Sequence, residues 1–244
     1  MKFVCGTLLG LLVATSAQAE GWKGQGEAGL IRTTGNTESE NFNIGLNFEK
    51  IGETWSHELG FGLLETSADS ETTAETISAD YLAKRHLTDR SYLFGSVGYL
   101  DDDFDGFTEQ SSIGFGYGYF AIKSDRTNLE LGAGIGYRDT EELFLNDDGT
   151  ETVGEDLSSE TLIGLISFDS LVTDNTTIFN NFRIEVGTEN TFIENELGLI
   201  VSMSDAFSLK ASLLARQNSD PAPTADETDT ISTLSLIYDF GNKL

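Results

Sequence analysis

The sequence predicts an all-β protein, an antiparallel up-and-down transmembrane β-barrel of about 12 strands. Three observations predict this fold. Apolar residues recur at every second position, the candidate strands are long, and tight turns alternate with longer loops along the chain. An export signal at the amino terminus makes the outer membrane of a Gram-negative cell the expected location.

The amino-terminal segment has the features of a cleavable signal peptide. A lysine supplies a positive charge, an apolar stretch covers 3–14, and Ala17 and Ala19 give the small-residue spacing of a cleavage site. The apolar stretch is shorter than the ~20 residues that a membrane-spanning helix needs. We therefore expect a signal peptide over 1–19 and a single outer-membrane β-barrel domain over 20–244.

Alternation of apolar with small or polar residues is the main secondary-structure signal. It is clearest in segments 42–49, 113–119 and 129–138. Because side chains alternate between the two faces of a strand, this pattern predicts one apolar face and one polar or small face. No helical periodicity of useful length follows the signal peptide.

Turn signals divide the domain into twelve candidate strands. They cover 22–33, 38–50, 54–66, 72–87, 91–101, 107–122, 127–140, 157–170, 176–188, 191–203, 207–218 and 228–240. Many are longer than the five or six residues usual in globular sheets. A tilted strand needs about 9–11 residues to cross a bilayer, so these lengths favour a membrane barrel.

Short and longer connections alternate along the chain. The tight turns are 51–53, 88–90, 123–126, 173–175 and 204–206. The connections after strands 3, 5, 7 and 11 are longer and mostly acidic, and the one after strand 7 is expected over Glu141 to Asp156. Those after strands 1 and 9 are short and depart from the pattern. Short turns on one side predict a periplasmic side that also holds both termini.

Aromatic residues lie near the predicted strand ends, where membrane girdles form. On the short-turn side these are Trp22, Phe48, Trp55, Tyr92, Tyr119 and Tyr238, and on the opposite side Tyr99 and Phe107. The last strand ends on Tyr238-Asp239-Phe240. This aromatic ending resembles the terminal strand that the barrel-insertion machinery recognises, which makes that machinery an expected partner during assembly.

The chain is strongly acidic, with 14 Lys and Arg against 41 Asp and Glu and a formal net charge of −27. This charge excludes nucleic acid as a partner and is compatible with a salty medium that screens it. The acidic segments 101–106 and 146–149 lack the ligand spacing of a dedicated calcium loop. The only cysteine, Cys5, lies in the signal peptide. We expect no cofactor and no metal.

The sequence does not predict an enzyme. Only His57 and His86 offer the usual general base, and both lie toward the predicted periplasmic turns. The Gly-x-Gly runs at 114–118 and 132–136 continue strand alternation and open no helix, so they are not phosphate loops. Inner-face glycines instead allow the sheet to bend and leave room in the lumen.

If the apolar face contacts lipid, a set of polar and charged side chains faces the lumen. This candidate lining consists of Asn43, Asn47, Glu58, Glu130, Arg138, Arg183, Glu185, Glu196, Lys210 and Arg216. Opposite charges on neighbouring strands are expected to pair. The lining either closes a narrow barrel or selects small solutes, since about 12 strands enclose less space than the 16–18 of open porins.

Three segments resemble a known family. They are Thr34-Gly35-Asn36-Thr37-Glu38, Asp89-Arg90-Ser91-Tyr92-Leu93-Phe94-Gly95, and Asn218-Ser219-Asp220-Pro221 followed by Thr228-Asp229-Thr230. In order and spacing they resemble the YdiY-type salt-induced outer-membrane proteins, catalogued as domain of unknown function 481. The resemblance covers nearly the whole domain and implies an outer-membrane location without a defined activity.

These inferences predict a monomer in contact with outer-membrane lipid and with a non-enzymatic envelope role, linked by the resemblance to salt or osmotic response. A narrow channel for ions or small solutes is the main alternative. An outer-membrane enzyme and a soluble secreted β-sandwich are weaker alternatives.

Overall fold

The computed structural model describes residues 21–33, 39–68, 71–102, 107–145, 151–188, 190–221 and 227–240. Its strands are β1 Lys23–Thr33, β2 Ser39–Ile51, β3 Trp55–Ala68, β4 Glu71–Thr88, β5 Ser91–Asp102, β6 Phe107–Lys123, β7 Thr127–Leu145, β8 Glu151–Leu171, β9 Thr176–Val186, β10 Thr191–Ser202, β11 Phe207–Asn218 and β12 Thr228–Phe240. The predicted signal peptide lies outside the described residues.

Each strand pairs antiparallel with its neighbours in the chain, and β1 pairs with β12 to close the barrel. In the closing ladder Gly26 lies opposite Tyr238 and Gly29 opposite Ser235. Closure gives every strand a partner on both edges, which satisfies backbone groups that water would otherwise have to satisfy. The predicted fold class and strand count are confirmed. The described residues contain no helix that is long and apolar enough to cross a membrane.

Two predicted loops are wrong. Strands β7 and β8 remain paired through Glu141–Asp156 and Leu143–Val153, so the connection after β7 is 146–150 and not 141–156. Likewise β3 and β4 are separated only by residues 69–70. Acidic residues suggested loops, but ladder pairing depends on the backbone, so it continues through the polar sequence at this end of both strands.

The outer face is apolar. On β6–β8, Phe115, Ile135 and Leu162 expose 67%, 66% and 64% of their surface. At the short-turn end Trp55, Tyr119 and Tyr238 also point outward, as the girdle prediction required. Such a continuous apolar exterior is typical of a surface covered by lipid.

The core of the protein lies inside the barrel. Its buried apolar side chains are Tyr92, Phe94, Ile163, Phe179, Phe192, Ile231 and Ile237. Tyr92 was expected in the outer girdle, and this expectation is wrong. It lies opposite His86 and Gly118 on the inner face and is only 2% exposed. The inner face is therefore a mixture of rings, aliphatic groups and charges.

Candidate functional site in the barrel lumen

The structure places the ten side chains of the candidate lining on the inner face. Asn43, Glu58, Glu130, Arg183, Glu196, Lys210 and Arg216 line one internal chamber, and Asn47 lines a second. Arg138 and Glu185 contact each other and Arg183. These residues form separate groups of ion pairs around the wall.

Glu185 on β9 holds the most buried group. Arg138 on β7 donates from Nε and Nη2 to Glu185 Oε2, each at 2.6 Å, and from Nη1 to Gln110 Oε1 at 2.7 Å. Arg183 Nε donates to Glu185 Oε1 at 2.8 Å. Glu185 is 1% exposed, and the Arg138 guanidinium lies 4.2 Å from the Phe192 ring centroid. Both carboxylate oxygens thus accept charge-assisted hydrogen bonds, which tie β7 to β9, and the Arg138–Gln110 contact adds β6 to the group.

Lys84 on β4 bridges two opposed parts of the wall. Its Nζ lies 2.8 Å from Glu58 Oε1 on β3 and 2.8 Å from Glu130 Oε1 on β7. The Tyr92 hydroxyl also donates to Glu130 Oε1. Because β4 and β7 are separated by two strands in the sheet, this Lys84 bridge crosses part of the lumen.

Lys210 on β11 makes an equivalent bridge on the other side of the lumen. Its Nζ lies 3.1 Å from Glu27 Oε2 on β1 and 2.9 Å from Glu196 Oε1 on β10. Asn43 Nδ2 donates to Glu27 Oε1 at 3.2 Å and to Ser235 Oγ at 3.1 Å. The Lys210 bridge thus ties β1 to β10 and β11, and the Asn43 amide links the same Glu27 carboxylate to Ser235 on β12.

A fourth pair, Arg216 Nε to Glu194 Oε2 at 2.9 Å, joins β11 to β10 toward the long-loop side. Sequence analysis missed Glu194, although it shares a strand face with Glu196. It also missed Glu27 and Lys84. Glu27 lies among glycine and alanine, and Lys84 precedes two further polar residues, so neither position shows apolar alternation.

Two chambers meet at the Lys84 bridge. The loop-side chamber has a volume of about 540 Å³ and reaches Thr76 and Arg216. The turn-side chamber has a volume of about 550 Å³ and reaches Lys23 and Asp239 at the short-turn end. Both are lined by Glu58, Lys84, Glu130 and Ser167. The bridge therefore lies between them.

Glycines line the inner face of the barrel wall on β6 and β7. Gly114, Gly116, Gly118, Gly132, Gly134 and Gly136 occupy consecutive inward positions. A Cβ atom at Gly118 would overlap the Tyr92 ring, and one at Gly116 would overlap the Phe94 ring. The predicted room in the lumen exists, but rings from β5 fill it, together with Ile163 from β8 over Gly136. This wall is closed by packing.

Neither histidine belongs to a catalytic triad within the described residues. His86 Nε2 lies 2.8 Å from Ser56 Oγ, and His57 Nδ1 lies 2.8 Å from Tyr81 Oη. Among the residues that the structure describes, no carboxylate is hydrogen-bonded to either histidine ring. Ser56 is 5% exposed, so the serine of the Ser56–His86 contact is closed to substrate. Sequence analysis missed this contact. The described residues also contain no group of three His, Cys, Asp or Glu placed to hold a metal ion.

Comparison with known proteins identifies a family. The family described as "Protein of unknown function, DUF481" matches residues 26–240. The uncharacterized protein YdiY of Escherichia coli strain K12 is 27% identical over 220 residues, covering 89% of this chain and 82% of that relative. The resemblance expected from the three sequence segments is thereby confirmed.

Solved structures similar to this chain include two membrane barrels. The translocator domain of the autotransporter NalP from Neisseria meningitidis is 17% identical, with a TM-score of 0.46 and coverage of 96% of this chain and 95% of that chain. The KdgM porin is 10% identical, with a TM-score of 0.43 and coverage of 88% and 98%. From the match over 26–240, the chain belongs to the DUF481 family of proteins of unknown function.

Proposed function

We propose that this protein is an integral outer-membrane barrel with a non-enzymatic role in the envelope, and that ion pairs hold its lumen closed. The membrane placement is supported by the closed barrel and by its apolar exterior. Exposing side chains such as Phe115 and Ile135 to water is unfavourable, whereas lipid tails cover them at no such cost.

The observation that carries a closed lumen is the Lys84 bridge. It ties Glu58 to Glu130 at the point where the two chambers meet. The ring packing on β5 and β6 closes the neighbouring wall, so a solute has to pass beside the ammonium group. The Glu58 end of the bridge is 39% exposed, so dissolved ions can screen it, whereas a packed ring can move only if its neighbours repack.

The two chambers favour a second candidate function, a narrow channel for ions or small solutes. The turn-side chamber carries five carboxylates and two lysines on its wall, namely Glu49, Glu58, Asp80, Glu130 and Asp239 with Lys23 and Lys84. This excess of negative charge attracts cations and repels anions. A channel in this barrel is therefore expected to prefer cations.

The Lys84 bridge also provides a way for salt to act on the protein. Glu58 exposes 39% of its side chain, so dissolved ions reach one end of the bridge. Salt weakens interactions between solvent-accessible charges much more than those between buried charges. We propose that high salt loosens the Lys84 bridge while the buried Glu185 group stays intact.

Conductance across planar bilayers tests these proposals. We expect the wild-type protein to show no steady conductance at about 0.15 M potassium chloride. Lys84→Met removes the ammonium group at similar length, and we expect steady, cation-selective openings from it. Lys123→Met, which alters an exposed lysine of a periplasmic turn, serves as the matched control and should stay closed.

The outcomes separate the candidates. Steady conductance from the wild-type protein would favour the channel over the closed barrel, and an equally closed Lys84→Met variant would remove the bridge as the closing element. Glu58→Gln provides a milder second variant. Heat-dependent gel migration checks that each variant folds. Recovery of the protein as a soluble periplasmic species would contradict the membrane placement.

A further inference from the structure

A cluster of aromatic rings lies on the outer face of the barrel near the short-turn rim. The His57 ring stacks at 6.2 Å from Trp55 and at 6.1 Å from Tyr81, with 9° between the planes in both pairs. Trp22, just before β1, lies 6.4 Å from His57. The hydrogen bond between His57 Nδ1 and Tyr81 Oη fixes the rings relative to one another. The cluster forms a rigid, half-polar surface at the level of the membrane interface.

This aromatic cluster lines an outward cleft of about 450 Å³ together with Lys50 and Leu59. Lys50 lies directly opposite His57 on β2, and Arg85 lies directly opposite Trp55 on β4. Residues opposite one another in an antiparallel ladder share a face, so both cations border the rings. None of the described residues that line the cleft is acidic, and the nearby Glu53 lines a different cleft.

The position of these cations contrasts with the acidity of the whole chain. At the short-turn end the exposed cations are Arg85, Arg90, Lys123 and Arg126. At the opposite end of the outer face the exposed charged side chains include Glu109, Asp139 and Glu160. Exposed carboxylates such as Glu53, Asp89 and Asp125 lie at the short-turn end as well, but none of them lines the cleft.

We propose that the cleft of Trp22, Lys50, Trp55, His57 and Tyr81 is a binding site for an anionic phospholipid of the periplasmic leaflet. The lipid phosphodiester accepts hydrogen bonds from Lys50 and Arg85, and the glycerol and first acyl carbons pack on the rings. The site goes beyond the proposed closed lumen and rests only on the membrane placement. It lies on the opposite side of the wall from the Lys84 bridge.

Quenching of intrinsic fluorescence by brominated lipids tests this site. The chain contains two tryptophans, Trp22 and Trp55, and both line the cleft. The refolded protein is placed in vesicles whose brominated chains carry either a phosphatidylglycerol or a phosphatidylcholine headgroup. We expect phosphatidylglycerol to be preferred about 25-fold, since Lys50 and Arg85 each contribute an affinity gain of about fivefold for an anionic headgroup at the cleft.

Single substitutions assign the preference to the cleft. Lys50→Gln and Arg85→Gln should each reduce the ratio about fivefold, while Lys123→Gln, a lysine of the same rim outside the cleft, should leave it unchanged. Equal quenching by both headgroups, or an equal loss with Lys123→Gln, would overturn the proposal. Competition by millimolar inorganic phosphate would also overturn it by indicating a site for free anions. Quenching by brominated phosphatidylcholine measures insertion into the membrane separately. A protein that is quenched by neither lipid would contradict the membrane placement, whereas one that is quenched equally by both would contradict only the lipid site.

Discussion

The lumen is filled in two different ways on its two sides. On β5–β8, rings and aliphatic groups lie directly over glycines, as Tyr92 does over Gly118 and Phe94 over Gly116. On β9–β12 and β1, charged side chains reach across neighbouring strands, as in the Arg216–Glu194 and Lys210–Glu27 pairs. Packing dominates on the first side and charge on the second, where Phe179 is nevertheless packed over Gly198.

The two sides respond differently to change. A packed wall has no spare volume, so even one added methyl group forces its neighbours to move. A charged wall tolerates changes in volume but not the loss of one partner, because the remaining charge stays buried. Burial therefore determines how much stability is lost when an ion pair is broken, and steric fit determines how much is lost when a glycine is replaced.

The largest expected effect is at the buried centre of the charged side. Glu185→Gln leaves the guanidinium groups of Arg138 and Arg183 without a countercharge in a site that is 1% exposed. We expect the free energy of unfolding to fall by about 3–5 kcal/mol. Urea unfolding from phospholipid vesicles, followed by tryptophan fluorescence, measures it.

The matched control removes one carboxylate from an exposed ion pair in the short turn after β8. Asp174 lies 3.7 Å from Arg126 with a fully exposed side chain, so Asp174→Asn should leave the unfolding curve unchanged. If Glu185→Gln were as mild as this control, the buried group would contribute no more than a surface pair.

The second-largest loss of stability is expected on the packed side of the lumen. Gly118→Ala places a methyl group within the Tyr92 ring, and we expect a loss of about 1–3 kcal/mol in the free energy of unfolding. Combining it with Tyr92→Leu should relieve the overlap, so the double variant should be more stable than the two single losses predict. Gly95→Ala is the control, because the atoms nearest to its Cβ lie 3.8 Å away or more. Strict additivity would contradict steric closure of this wall.

The smallest effect is expected where charge is only partly buried. Glu194 exposes 34% of its side chain to the loop-side chamber, and Asp229 lies opposite Arg216 as another carboxylate on the inner face. We expect Glu194→Gln to lower the free energy of unfolding by about 1 kcal/mol or less in the same assay. A loss as large as that of Glu185→Gln would show that burial does not rank the ion pairs.

The barrel was largely predictable from sequence because alternation is local. The bounds of β11 and β12 agree with the expected 207–218 and 228–240, and each of the other strands also has a predicted counterpart. The extension of β7 and β8 was not predictable in this way. The acidic residues at this end of the two strands carry no apolar alternation, so their pairing is visible only in the ladder.

Within the candidate site, side-chain direction was easier to predict than side-chain partners. Alternation around Asn43 and Arg138 assigns their face, since one face of the strand is apolar. At Lys84 and Tyr92 alternation does not assign the strand face, because polar and aromatic residues occur on both faces nearby. The signal peptide over 1–19 and the monomeric state stay predictions.

The sequence by itself determined that the chain forms long alternating strands, which residues share a face, and that charge enters a narrow lumen. These properties depend on neighbours along the chain and on strand geometry. Only the tertiary structure decided that Lys84 on β4 meets Glu130 on β7 and that Tyr92 faces inward over Gly118. The Lys84–Glu130 contact joins strands that are not neighbours in the sheet, and it exists only because closure of the barrel brings separate parts of the wall within reach of one side chain.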